Sequence, residues 1–479
     1  MKKIIAVLCL LSLCLPLCAC ASSLATEEVI TETKEEIKTV EEKEEEKGDI
    51  VYPDSFAMGY AAGDITGSLP IPIFEDEGTS VADPLMLTCT AVWDGKTAAL
   101  LMSADLRSMG ESVAKSSGKM IEKQFGIPAE NVIINCTHTH EAPHAGSGGD
   151  SGVRWLANYY KQLPIIVEKA LRDLDVVEGI YTGKSYTEKL CFVRRYLMPD
   201  GTYRTNPGST AVAHETEADP ELNTLRIDRK NNKDILMVNY QTHYVGGIGE
   251  GKVSADFVGP FRAAAEKEFD CHFVYHQGGG ANINFNSAIP GERIYFSHTE
   301  ASKGFMITTR DALAKEEKVD TGKIISTSSL YPGKVGQDTP ERIAQAQEIM
   351  SYPESSAEYL AALGKYGMEA REAEGINRRS KKGEIVDVNF TAISFGDIGF
   401  ASAPYEMFDT NGKEVRDGSP FKMTFVLSYT NGGFGYVPSA LAWPNKGYEV
   451  YITWFAQGSA EEFSGEMVRL LNLCNEAKN

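Results

Sequence analysis

The chain has 479 residues, room for one large domain or two ordinary ones, and its 42% hydrophobic, 24% charged and 9% aromatic residues are globular proportions. That balance excludes a disordered, fibrous or multi-span membrane protein. A formal net charge of −20 argues against nucleic acid, whose phosphates need clustered Lys and Arg, and against docking on an anionic membrane by charge alone.

Taken in chain order, residues 1–20 read as an export signal. Lys2 and Lys3 precede an apolar run from Ile4 to Leu17, too short to span a bilayer but right for a signal core. Leu17-Cys18-Ala19-Cys20 then resembles a bacterial lipobox, with small Ala19 before the lipid-accepting Cys20; a plain cleaved signal peptide is the alternative. Residues 21–50 read as a disordered acidic spacer. Glu27 to Lys47 holds ten Glu against four Lys and no aromatic residue, so it cannot bury enough apolar area to offset its ordering entropy. These segments imply an extracytoplasmic lipoprotein held on a bacterial cell membrane, with one folded domain over residues 51–479.

Within that domain, Met86 to Trp93 and Thr97 to Asp105 read as a hairpin turning at Asp94-Gly95. Apolar spacing predicts helices over Ser112 to Phe125, Trp155 to Asp173, Val258 to Phe269, Thr299 to Ala314 and Glu341 to Met350. Strand-like runs lie at Val132 to Cys136, Leu222 to Ile227, Ile235 to Tyr240, Phe273 to Tyr275, Ile385 to Ser394 and Met423 to Ser428. The tract from Tyr352 to Lys382 reads as a peripheral helical excursion. The alternation predicts an α/β fold, a large mixed β-sheet core flanked by helices. Beyond Cys20, Cys89, Cys136, Cys191, Cys271 and Cys474 are scattered without a CxxC pair, which predicts buried free thiols rather than a disulfide framework.

Polar residues gather where strands end. Val132 to Cys136 runs into Thr137-His138-Thr139-His140-Glu141-Ala142-Pro143-His144, and Ile235 to Gln241 into Thr242-His243. Phe273 to His276 leads to Gln277-Gly278-Gly279-Gly280-Ala281-Asn282, Ile398 to Ala403 to Pro404-Tyr405-Glu406, and Met423 to Ser428 to the segment ending at Tyr436. Ligands of α/β sheets bind outside such carboxyl ends. Of only eight histidines, three fall between His138 and His144. Along an extended segment His138 and His140 point to one side, so one can ligate a metal while the other sits beside its water. A surface loop that merely holds histidines, and a hydrogen-bonded structural His243, remain open on these residues alone.

These segments together resemble the N-terminal catalytic domain of the neutral (non-lysosomal) ceramidase family. The resemblance is carried by Asn131-Val132 before Thr137-His138-Thr139-His140, Val238-Asn239-Tyr240 before Thr242-His243, and the Gln277-Gly278 turn. Pro404-Tyr405-Glu406, Gly435-Tyr436-Val437, Tyr448-Glu449, Asp64-Ile65-Thr66 and Ser103-Ala104-Asp105 continue it in order. It implies one zinc ion per chain on His138, His243, Glu406 and Tyr436, with His140 as the proton-shuttling residue. It also implies that Arg194 contacts substrate and that Tyr448 hydrogen-bonds the reacting carbonyl. Core packing with a satisfied hydroxyl is the plainer role for either tyrosine.

Three departures bear on substrate. Where the family continues Gly-Asp-x-Ser-Pro, this chain reads Ala281-Asn282-Ile283-Asn284-Phe285, so Gly279, Asn282 and Asn284 are candidate substrate contacts and no serine nucleophile is present there. Glu141-Ala142-Pro143-His144 replaces Ser-Gly-Pro-Gly, and the sequence ends without the family's extra β-sandwich domain. The resemblance implies hydrolysis of an N-acyl amide of a small molecule or lipid by attack of zinc-bound water, with ester hydrolysis next. A non-catalytic substrate-binding lipoprotein on the same fold is the alternative reading.

Overall fold

The structure, a computed structural model, describes residues 48–478 apart from 75, 188, 209, 244–247 and 293–296. The signal segment, Cys20 and nearly all of the acidic spacer lie outside the described residues. Nine strands form one sheet: β1 (Ala57–Asp64), β2 (Met86–Trp93), β3 (Ala98–Ala104), β4 (Val132–Cys136), β5 (Asp175–Tyr186), β6 (Glu221–Arg229), β7 (Ile235–Tyr240), β8 (His272–Gln277) and β9 (Glu317–Val319). A second sheet contains β10 (Ile324–Lys334), β11 (Ile385–Phe395), β12 (Ile398–Ser402) and β13 (Met423–Leu427). The helices in chain order are α1 (Glu111–Phe125), α2 (Gly149–Arg172), α3 (Val258–Phe269), α4 (His298–Leu313), α5 (Pro340–Met350), α6 (Ala357–Tyr366), α7 (Ala370–Arg379), α8 (Asp409–Gly418), α9 (Tyr448–Ile452) and α10 (Ser459–Ala477).

The first sheet runs β8-β7-β6-β5-β1-β2-β3-β4 with β9 on β5, and the second β10-β11-β12-β13. Its pairs are antiparallel except β3–β4 and β7–β8, and β12–β13 is the parallel pair of the second sheet. Parallel neighbours need a crossover, and each has one: α1, α3 and α8 respectively. The predicted hairpin forms because the Asp94 carboxylate accepts from Lys96 N at 2.9 Å and Thr97 N at 2.7 Å, while Gly95 takes the left-handed φ of 94°.

The first sheet curls until its two edges meet. Asn135, near the end of β4, donates to Gln277 O at 3.3 Å and accepts from Gln277 N at 2.8 Å, tying β4 to β8. The same amide donates to Ser428 O at 2.6 Å and reaches Thr430 Oγ1 at 3.0 Å, drawing in the end of β13. Into the curl packs the second sheet, so that Leu101, Ile133, Met237 and Val274 meet Ile393, Phe400, Phe425 and Leu427 in one buried core. Outside it, α1 and α2 cover β1 to β4, α3 and α4 cover β6 to β8, and α8 and α10 cover the second sheet.

The mixed α/β architecture agrees with the sequence reading. The large mixed sheet is present, and a second, four-stranded sheet joins it in the core because the run near Ile385 pairs with β10 and β12. Cys89, Cys136, Cys271 and Cys474 are buried thiols and Cys191 is half-buried, all free. Among the described residues no helix is long and apolar enough to cross a membrane.

Candidate metal centre

Each parallel pair sets two carboxyl strand ends side by side, and the curl brings the three pairs to one place. His138 follows β4 by two residues, fixed where Thr137 N donates to Ala104 O at 2.9 Å and His138 N to Leu106 O at 2.9 Å. Its φ is 64°, so the segment turns there instead of staying extended. That corrects the expectation that alternation alone sets where His138 and His140 point. The turn brings His140 Nε2 to 3.3 Å from His138 Nε2, and His243, three residues past β7, places its own Nε2 3.1 Å from His140 Nε2. The three histidines form a cluster able to hold a metal ion, their candidate ligand atoms all within 4.8 Å of one another.

Glu406 and Tyr436 complete the floor. They face one another on a short parallel bridge, with Glu406 N donating to Gly435 O at 2.8 Å, and Glu406 Oε2 stands 3.7 Å from His138 Nε2. The Tyr436 hydroxyl donates to the Glu406 carboxylate and accepts from Arg194 Nη2 at 3.0 Å. Arg194 also reaches His243 Nδ1 at 3.3 Å, and its Nε donates to the enclosed Glu449 at 3.0 Å. Tyr448 opens α9 with its ring 5.5 Å from that of Tyr436. The structure thus gathers His138, His140, Arg194, His243, Glu406, Tyr436 and Tyr448 from six separate stretches of chain into one neighbourhood.

The electrostatics suit a cation. Burial, then the neighbouring His140, pushes His138 well below the ordinary imidazole value; burial and then Arg194 do the same to His243. Burial, with Arg107 and Arg194, takes His140 down to about 3. Three rings are therefore neutral near pH 7. His138 Nδ1–H is held by Arg107 O at 2.6 Å, which leaves its Nε2 lone pair turned inward, and His243 presents its own Nε2 to the same centre. Burial raises Glu406 to about 7 against the pull of Arg194 and Tyr436, and its Oε2 is buried without a hydrogen-bond partner. Inward lone pairs beside an orphaned carboxylate oxygen fit a divalent metal, and an N/N/O donor set is one that zinc accepts.

The cluster lies on a cleft of about 410 Å³ lined among others by Phe74, Arg107, His144, Phe434, Tyr448 and Trp454. Tyr429, stacked on His138 at 3.9 Å, and Arg107 were not singled out from sequence; both follow strands whose carboxyl ends point here, which was the available signal. The candidate substrate contacts sit differently. Asn282 is buried with both ends of its amide taken up by Asp409, at 2.7 Å and 3.0 Å, so it braces the start of α8. Asn284 lies against Asn206 at 2.7 Å and over the His243 carbonyl at 3.1 Å. Gly279 is a packing position, since a Cβ there would stand 2.8 Å from Phe408 O.

No family model and no curated protein sequence matches the chain. Solved structures do. Neutral ceramidase from Pseudomonas aeruginosa superposes with a TM-score of 0.66 at 13% identity, covering 89% of this chain and 75% of that one. A structure of ceramidase complexed with C2 gives 0.65 at 14% identity, covering 89% and 76%. The chain has the neutral ceramidase fold.

Proposed function

We propose that this chain, on a fold shared with neutral ceramidase, is a zinc-dependent hydrolase of an N-acyl amide bond. The observation that carries the reading is the convergence of three neutral imidazoles with an orphaned carboxylate oxygen on the floor of an open cleft. His138, His243, Glu406 and Tyr436 would hold one ion, with His140 beside it. When bound, zinc polarises a carbonyl and lowers the pKa of water from about 15.7 toward roughly 7.

The chain's own groups handle position and protons. Burial and then Glu406 raise the Tyr448 hydroxyl, so it stays protonated and donates a hydrogen bond to the reacting carbonyl oxygen. Burial, with Arg107 and Arg194, keeps the His140 ring neutral, and its Nε2 faces those of His138 and His243. At Nε2 it takes the proton released as water adds to the carbonyl carbon, and returns it to the amine nitrogen as the C–N bond breaks. Arg194, pinned by Glu449, keeps the Tyr436 hydroxyl in place; it is buried and does not line the cleft, so its part is positioning. Asn284 is no nucleophile, and attack by water needs none.

We place this domain outside the cell on a lipid at Cys20, which intact mass of the N-terminal peptide from membranes would test. The function itself is tested by measuring metal in the purified full chain and in His138→Ala and His243→Ala, beside hydrolysis of a panel of N-acyl amides and esters. About one zinc per parent chain, little in either variant, and amide cleavage that follows the metal are expected. A well-folded parent without tightly held metal would end the hydrolase reading.

A further inference from the structure

The walls of the cleft carry charge that a neutral amide does not need. Arg371, Glu374 and Arg378 line it from α7, and Arg107 lines it from beyond β3. The two α7 arginines share one carboxylate: Arg371 Nη1 donates to Glu374 Oε2 at 2.7 Å and Arg378 Nη1 to Glu374 Oε1 at 3.3 Å. One positive charge remains after that pairing. Their side chains are still 53% and 48% exposed, which leaves several of the five N–H donors on each guanidinium for a ligand.

Position separates this set from an ordinary solvated helix face. The Arg371 guanidinium lies 5.9 Å from the centroid of Tyr448, the residue assigned to the reacting carbonyl. Arg107 stands over the Phe74 ring at 4.9 Å and lines the same cleft as His138, His140 and His144. Gly375, on the same helix, has no space for a side chain, because a Cβ would overlap the Tyr451 carbonyl oxygen; α7 is seated directly on α9. An arginine-lined mouth also runs against a chain whose net charge is −20. The planar guanidinium fork matches carboxylate and phosphate oxygens, and holds them better than an ammonium does.

We propose that Arg371 and Arg378, with Arg107 also lining the cleft, form an oxyanion subsite, so that the substrate is an N-acyl amide bearing a carboxylate or phosphate near its scissile bond. The apolar walls at Phe434, Ile452 and Trp454 receive the acyl chain. The identity of the bond rests on the hydrolase reading; the binding of the anion does not.

Calorimetric titration of the full chain in detergent with N-hexanoylglycine, N-hexanoyl phosphoethanolamine and neutral N-hexanoylglycinamide tests this. At low salt at least one anion is expected to bind about tenfold tighter than the neutral amide, and which one does so separates the carboxylate from the phosphate. The preference should shrink with added salt and collapse toward unity in Arg371→Gln/Arg378→Gln. Equal affinities, no binding of either anion, or a preference that survives the double substitution would overturn the subsite. Should that variant not fold, the parent decides, since an anion preference indifferent to salt would equally overturn it. Hydrolysis of the same compounds is read separately. Cleavage without anion preference removes the subsite and leaves the hydrolase, whereas anion preference without cleavage does the reverse.

Discussion

Glu449 sits next to Tyr448 in the chain and is fully enclosed. One oxygen accepts from Arg194 at 3.0 Å; the other accepts from Arg195 at 2.8 Å and Thr205 at 2.7 Å. Removing the carboxylate leaves two buried guanidinium groups short of countercharge, a loss that typically costs about 3–5 kcal/mol. Glu449→Gln should therefore lower the urea midpoint of unfolding sharply at pH 7. Burial alone would raise this carboxyl, but Arg194, Arg195 and Thr205 outweigh it and hold it below 4.5. A depressed folded value means the stabilisation is complete above pH 4.5 and is lost as pH falls through the folded value. The parent should lose stability over that acid window by more than Glu449→Gln does. Parallel pH profiles would contradict the assignment of the carboxylate as the charged partner.

Strand ends, more than strands, define the site, and Asn135 is the joint between three of them. Its amide is fully buried and serves β4, β8 and β13 at once, so truncation removes the acceptor of Gln277 N and one of the two donors to Ser428 O. Asn135→Ala is expected to destabilise the protein by about 2–4 kcal/mol and to lower zinc content, because His138 and the Gly278 turn flank that joint. Thermal unfolding and metal analysis on one preparation check both. A variant that keeps its full zinc content while losing stability would detach the joint from the metal. What the sequence made legible follows the same logic. The runs ending in His138, His243 and Glu406 are apolar and bounded by turn residues, so strands and site could be read together. Strand β1 reads AMGYAAGD, with weak β-propensity throughout, and was passed over. Its glycines are set by tertiary approach: a Cβ on Gly59 would overlap the Ala170 carbonyl oxygen of α2, and one on Gly63 would press into Ile166. Strand β10 alternates exposed Ser328, Leu330 and Pro332 with half-buried Thr327, Ser329 and Tyr331, and takes its place from the eleven-residue register with β11. That edge strand of the second sheet was therefore invisible until its partner was known, although the runs of β11 and β13 were legible. The placement of His140 was likewise hidden in one backbone angle at His138 that no spacing rule anticipates.

At the scale of the whole molecule, α5 to α7 form an insertion between β10 and β11 with a small core of its own around Ile349, Tyr359, Met368 and Ile376. The sequence marked this tract as peripheral, yet α7 walls the cleft and rests on α9, which carries Tyr448 and Glu449. The proposed metal donors belong to other elements, beyond strand ends of the joined sheets. A disturbance at the α7–α9 seam should thus separate substrate handling from metal binding. Gly375→Ala is the narrowest such disturbance, since its Cβ would overlap the Tyr451 carbonyl oxygen and force the helices apart. Overpacking of this kind costs about 1–3 kcal/mol. The expected result is a parent-like zinc content, faster amide hydrogen exchange in α7 and α9, and amide hydrolysis that falls with Tyr448 displaced. Exchange should remain slow in α2 and β7, which are anchored in the main core. Zinc lost in step with hydrolysis would mean that the insertion and the metal centre open as one unit, and that the cleft wall is part of what holds the donors together.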